Sequence, residues 1–225
     1  SLSRPCLTLM LLFGVMSAAP LAADLSRYRN YQFGTNLPAV AKQVGTSSAD
    51  ARVIHMRPAL IQELTWRPQL PGTSLSTEPV QEVVFGFYNG KLYRIAVIYD
   101  RYETEGLTVD DIVQTISATY GVAAKPSVMG NSAQGYSEDQ GEVVAQWKNP
   151  QYSFDLTRSS YGPSYRLIGT SLQIEAQARL AILEALRLDD KEAPQRDAAR
   201  TASEEDTARV RLERARTANK AKFRP

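Results

Sequence analysis

The stretch VVFGFYNGKLYRIAVIYD, residues 83 to 100, constrains the fold more than any other part of the chain. Asn89-Gly90 at its centre is the strongest short-range hairpin signal, because a type I′ turn requires positive φ at both central positions and these two residues tolerate it best. Pairing Tyr88 with Lys91 sets a register in which one face carries Val83, Phe85, Phe87, Leu92, Ala96 and Ile98. The other face then carries Val80, Val84, Tyr93, Ile95, Val97 and Tyr99. A hairpin with one wet side alternates apolar with polar residues, and this one does not. Both faces need cover.

Two helices after the hairpin offer that cover as its two lids, one following it directly and one at the end of the body, and a small amphipathic helix precedes it. In TEGLTVDDIVQTISATYG, Thr108 and Asp111 form a capping-box pattern with Asp in place of Glu, and Gly121 is a natural stop. Val109, Ile112, Val113, Ile116 and Tyr120 fall on one face of the helix between them. Upstream, FGTNLPAVAKQVG offers Thr35 or Asn36 as cap, Pro38 in the first turn, Leu37, Val40, Ala41 and Val44 at helical spacing, and Gly45 as terminator. A third helix follows Thr170-Ser171 as LQIEAQARLAILEALRL. Its apolar positions Leu172, Ile174, Leu180, Ile182, Leu183 and Leu186 spread too widely for one stripe, which predicts burial on two sides.

Between these helices lies strand material. Tyr28, Tyr31 and Phe33 suggest an extended entry, residues 52 to 66 read as strand interrupted near Pro58, and Pro68 to Pro79 as a loop. After a polar loop over 122 to 141, EVVAQWKN, QYSFDLTRS and a strand around Tyr165 to Ile168 form a second meander, with SSYGPSY as a turn. The expected fold is α+β: antiparallel β-meander sheets packed by helices, with two tandem helix-plus-meander units over residues 24–100 and 101–188.

The first residues, SLSRPCLTLMLLFGVMSAAPLAAD, place Arg4 before an apolar run and end it in small residues, the layout of a secretory signal peptide over residues 1–23 with cleavage after Ala23. The run is shorter than the ~20 residues a membrane-spanning helix needs. Cys6 is the only cysteine and precedes that run, so the exported chain is expected to lack thiol chemistry and disulfides. From Asp189 to Pro225 the composition turns to Ala, Arg, Glu and Asp, a charged tail read as a solvated or fluctuating helix. Its end gathers Arg209, Arg211, Arg214, Arg216, Lys220, Lys222 and Arg224 against one acid, Glu213. Such a cluster suits an anionic envelope surface or an acidic partner, while export argues against nucleic acid.

FGTNLPAVAKQVG followed by a YNGKLYRI hairpin resembles the small exported modules of the outer-membrane assembly lipoprotein and β-lactamase-inhibitor type, over about a third of the chain. That resemblance implies helices stacked on an antiparallel meander and a role in binding other proteins. The chain departs from the lipoprotein pattern in having no lipid-acceptor cysteine at the expected cleavage point. More broadly the chain resembles a bacterial exported protein.

Reactive groups are few. His55 is the sole histidine, which excludes multi-histidine metal sites and leaves a single imidazole base in a strand-like RVIHMR setting. Asp100, Glu103, Glu105, Asp110 and Asp111 cluster after the hairpin without the ligand order of a calcium loop, so loop charge and helix capping explain them. No nucleophile elbow and no phosphate-binding glycine loop occurs, and no cofactor is expected. The reading is therefore a non-catalytic protein-binding or structural module of the periplasm or cell envelope, or a homo-oligomer, with a partner surface at Val84, Tyr93, Ile95, Val97 and Tyr99 if the last helix leaves it open. The alternative is a secreted hydrolase using His55 or the acids near Asp100 in a cleft between the meanders.

Overall fold

The computed structural model describes residues 23–68, 79–125, 141–159 and 164–224. The expected leader, most of the loops after Pro68 and Val122, and the centre of SSYGPSY lie outside the described residues. The remainder is α+β, with a seven-stranded antiparallel sheet and a two-stranded ribbon.

Chain order is β1 (Arg27–Tyr28), β2 (Tyr31–Gln32), α1 (Leu37–Val44), β3 (Arg52–His55), β4 (Ile61–Trp66), β5 (Val80–Tyr88), β6 (Lys91–Tyr99), α2 (Val109–Tyr120), β7 (Glu142–Lys148), β8 (Tyr152–Arg158), β9 (Tyr165–Ser171) and α3 (Leu172–Lys222). The large sheet runs β3-β4-β5-β6-β9-β8-β7. Both short helices end as their sequences require: Asn36 and Thr108 cap them, and Gly45 takes φ 73° in the left-handed region. Thr108 and Asp111 close a reciprocal capping box. Arg57-Pro58, which separates β3 from β4, is a cis peptide.

The Asn89-Gly90 turn has φ of 47° and 76°, and Tyr88 pairs with Lys91. Beyond it the ladder departs from the regular register. Phe87 pairs with Leu92 but Gly86 pairs with Arg94, so Tyr93 is an extra residue in a bulge. One inserted residue exchanges the faces of everything that follows. Ile95 and Val97 therefore join Val83, Phe85, Phe87 and Leu92, while Ala96 and Ile98 lie on the opposite side with Val84. A second bulge, at Gln81, brings Val80 opposite Tyr99 and into the same core.

The first of these faces is the main core. Leu37, Val40 and Ala41 from α1, Ile112, Ile116 and Tyr120 from α2, and Leu25, Tyr28, Tyr31 and Phe33 from the entry ribbon close over it. Trp147 Nε1 donates to the Gly121 carbonyl at 2.9 Å, tying the end of α2 to β7. Tyr120 stacks on Phe154 with ring centroids 4.3 Å apart.

The topology repeats. Each half runs helix, meander, and a last strand that meets its counterpart at the β6/β9 seam. Five seam pairs centre on Ala96 and Ile168, an antiparallel pairing that relates the halves by a local two-fold. The caps Asn36 and Thr108 and the seam residues Val97 and Gly169 keep one spacing in sequence, and following the cross-strand pairs outward places Trp66 and Trp147 at matching sites. β3 pairs with the outer edge of β4 much as Ala124 bridges to the outer edge of β7 at Gln146.

The third helix differs from expectation. It is continuous from Leu172 to Lys222, passing Asp189 and Pro194 without a break. Ser171 caps it without a side-chain bond, and the Leu172 amide donates instead to the Gln151 carbonyl at 2.9 Å. Nor is it buried on two sides: Ala178, Ala181 and Ala185 are buried, whereas Leu180 and Leu183 are 69% and 58% exposed. Ile174, Ala178 and Ile182 pack on Ile54, Ile61, Tyr88 and Tyr93, so the helix crosses one end of the second sheet face. Small residues let it lie close there. Among the described residues, no helix is long and apolar enough to cross a membrane.

Candidate functional site

The most distinctive surface is the free length of α3. Its last tie to the body is the ion pair of Arg57 with Glu192, which raises the Arg57 pKa and lowers that of Glu192 through the shared hydrogen bond. From Pro194 to Arg224 every residue is exposed. At ~1.5 Å per residue that is roughly 45 Å of helix standing away from the sheet. A helix gains most of its stability by packing an apolar face, and this segment packs none on the body. Local pairs support it instead: Arg196 with Asp189 at 3.4 Å, Arg200 with Asp197 at 3.1 Å, and Arg209 with Asp206. Among the described residues no carboxylate lies within ion-pair distance of Arg211, Arg214, Arg216, Lys220 or Lys222. Ala208 and Leu212 floor a shallow groove rimmed by Glu205, Arg209, Glu213 and Arg216.

The five residues expected to form a partner surface do not form one. Ile95 and Val97 are fully buried in the main core and Tyr99 packs against it, where burial raises the tyrosine pKa. Tyr93 is buried under α3 with Ile61 and Ala178, and its pKa is likewise raised by burial. Only Val84 stays on the open part of the second face. The Tyr93 bulge is the reason, since the expected grouping assumed a regular ladder.

That open part runs along Val84, Ala96, Ile168, Asp155 and Gln146, one residue from each of five adjacent strands. All are half-buried, and Val84, Ala96 and Ile168 belong to neither apolar cluster. Asp155 accepts a hydrogen bond from Gln146 Nε2 at 2.5 Å. Its carboxyl pKa is raised chiefly by burial, with a smaller push from Glu175, against the lowering effects of the Gln146 bond, Lys148 and Arg94.

The candidate catalytic groups are not brought together. His55 is half-buried on the edge strand β3, opposite Ile61, which in turn pairs with Tyr88 at the hairpin end of the sheet. Asp100 follows Tyr99, which pairs with Val80 at the other end. The length of β5 separates them, about 25–30 Å at ~3.3 Å per residue. The meanders form one continuous sheet through β6 and β9, so no cleft divides them. Asp100 accepts from the Tyr102 amide at 2.7 Å and thereby shapes a turn, and Asp111 is held by Thr108, whose hydrogen bonds lower its pKa. Among the described residues, no group of three His, Cys, Asp or Glu side chains is placed to hold a metal ion.

Compared with known proteins, the chain matches no family model, and no curated protein and no solved structure is significantly similar to it.

Proposed function

We propose that this protein is an exported, non-catalytic binding module of the periplasm or cell envelope, in which the α+β body serves as a mount and α3 as the binding element. One observation carries this reading: the helix continues for some thirty residues past its last contact with the body, wholly exposed. A scaffold needs no such extension for its own core, whereas a helix without a buried face gains stability once a partner covers it. The apolar leader-like run before Asp24 supports export.

Fractionation of cells producing the full chain with a C-terminal tag tests both parts. The expected product is periplasmic or envelope-associated, shortened by the first 23 residues. Truncation after Ala193 is expected to abolish the association while leaving the melting temperature of the body within ~2 °C, because no residue beyond it is buried. His55→Ala should leave association intact. Cytoplasmic retention at full length overturns export; association that survives truncation overturns the role of α3.

A further inference from the structure

We propose that the partner of α3 is the same helix of a second copy of this chain, packed antiparallel along the face turned away from the sheet. The inference rests on reading α3 as the binding element, but not on export.

Its first support is where the apolar residues point. Advancing 100° per residue, Val210 faces the other way, but Leu180, Leu183 and Leu212 fall within about 60° of one another around the helix, and Phe223, the cap residue just past its end, prolongs that side. The four on that side are 69%, 58%, 67% and 78% exposed. The packed row of Ile174, Ala178, Ile182 and Ala185 lies on the opposite side of the cylinder. A helix that already buries one face on its own sheet therefore presents two apolar pairs on the opposite side, Leu180 with Leu183 near the body and Leu212 with Phe223 near the tip, with Arg187, Pro194, Ala198 and Glu205 between them. Two such pairs at opposite ends are self-complementary when the helices run antiparallel, as a two-fold symmetric interface requires.

Charge selects the orientation. Residues 207–224 hold seven basic side chains against one acid, whereas residues 172–206 hold nine acids against five basic side chains. Parallel helices would set the two basic segments against each other over their whole length. Antiparallel helices move them to opposite ends of the pair. Placing Leu180 beside the partner's Leu212 brings Arg187 opposite the partner's Glu205 and Glu184 beside the partner's Arg209, each twice by symmetry, so that the Arg187–Glu184 and Arg209–Asp206 pairs within each chain join into one charged cluster across the interface. Pro194 and Ala198 meet near the two-fold, where small side chains allow close approach. Arg209, Arg216 and Lys220 lie on one side of Leu212 and Arg211 and Lys222 on the other, so the basic residues nearly encircle the helix. A membrane-lying helix gathers them on one face opposite a broad apolar one, which favours a second copy over a lipid surface.

Sedimentation of the purified full chain over a concentration series tests this. The expected result is a reversible dimer whose midpoint moves roughly tenfold or more to higher concentration in Leu180→Glu/Leu212→Glu, both positions being solvent-exposed in the single chain. Melting of the body should be unchanged, which separates lost association from lost folding. Arg187→Glu should weaken the dimer and Arg187→Glu/Glu205→Arg restore it. In a Cys6→Ser background, mixing Leu180→Cys with Leu212→Cys should yield an interchain disulfide that neither variant forms alone. A monomer at every concentration, a dimer indifferent to both glutamates, or association with anionic vesicles only would each overturn the proposal. A monomer that still binds the envelope through α3 would remove this inference and leave the proposed function standing. A dimer of a chain retained in the cytoplasm would remove export and leave this inference standing.

Discussion

Gly169 marks a tight point in the core. A Cβ there would sit 2.5 Å from the Phe154 ring, which is itself stacked on Tyr120 and cannot swing aside without breaking that contact. Gly169→Ala should therefore cost about 1–3 kcal/mol by overpacking, read as a lower urea midpoint with unchanged slope. Gly86 is roomier, its nearest contact being the Arg94 Cβ at 3.3 Å, and alanine should be milder there. Asp155 makes a prediction about pH. Its pKa is raised in the fold, so the folded chain holds the proton more firmly than the unfolded one. Stability must then fall as pH rises from the ordinary carboxylate range through the folded value. Asp155→Asn should match the parent in acid and melt higher near neutrality, where the parent buries a charge. An equal or steeper neutral loss in the variant would refute the assignment. The signal for such a residue was weak in the sequence, because QYSFDLTRS shows Asp155 only as a polar position between Phe154 and Leu156.

At the scale of elements, local chemistry made the helix caps and the central turn legible. Asn36, Thr108 with Asp111, Gly45, and Asn89-Gly90 act through their own backbone neighbours, so a few residues of context suffice. The bulge at Tyr93 was not legible. After the turn, LYRIAVIY is apolar at every position but Arg94, so either register buries a plausible set and nothing local marks the extra residue. Tertiary packing decides it, by seating Tyr93 under Ala178 and returning Ile95 to the main core. The misjudged burial of α3 has a related origin. The spread of Leu172, Ile174, Leu180, Ile182, Leu183 and Leu186 predicts burial on two sides, yet close approach to the sheet selects Ala178, Ala181 and Ala185 beside Ile174 and Ile182 and leaves Leu180 and Leu183 outside. The dimer proposed above would cover Leu180 and Leu183, which the body leaves exposed.

Over the whole molecule, the faint likeness of FGTNLPAVAKQVG to EGLTVDDIVQTISATYG becomes a shared topology around the β6/β9 seam. Five backbone pairs join the halves, and the same core cluster runs from Leu37 to Leu167 without interruption. Neither half has a separate interior to retain once the other opens. The chain also has only two tryptophans, Trp66 and Trp147, one in each half at corresponding stations of the outer meander strands. Nature has thus installed a matched pair of optical reporters, one half-buried and one sealed. Trp66→Phe and Trp147→Phe each leave a single emitter, and their fluorescence transitions in urea should coincide. Two separated midpoints would mean that the seam is a hinge between independent folding units rather than the spine of one.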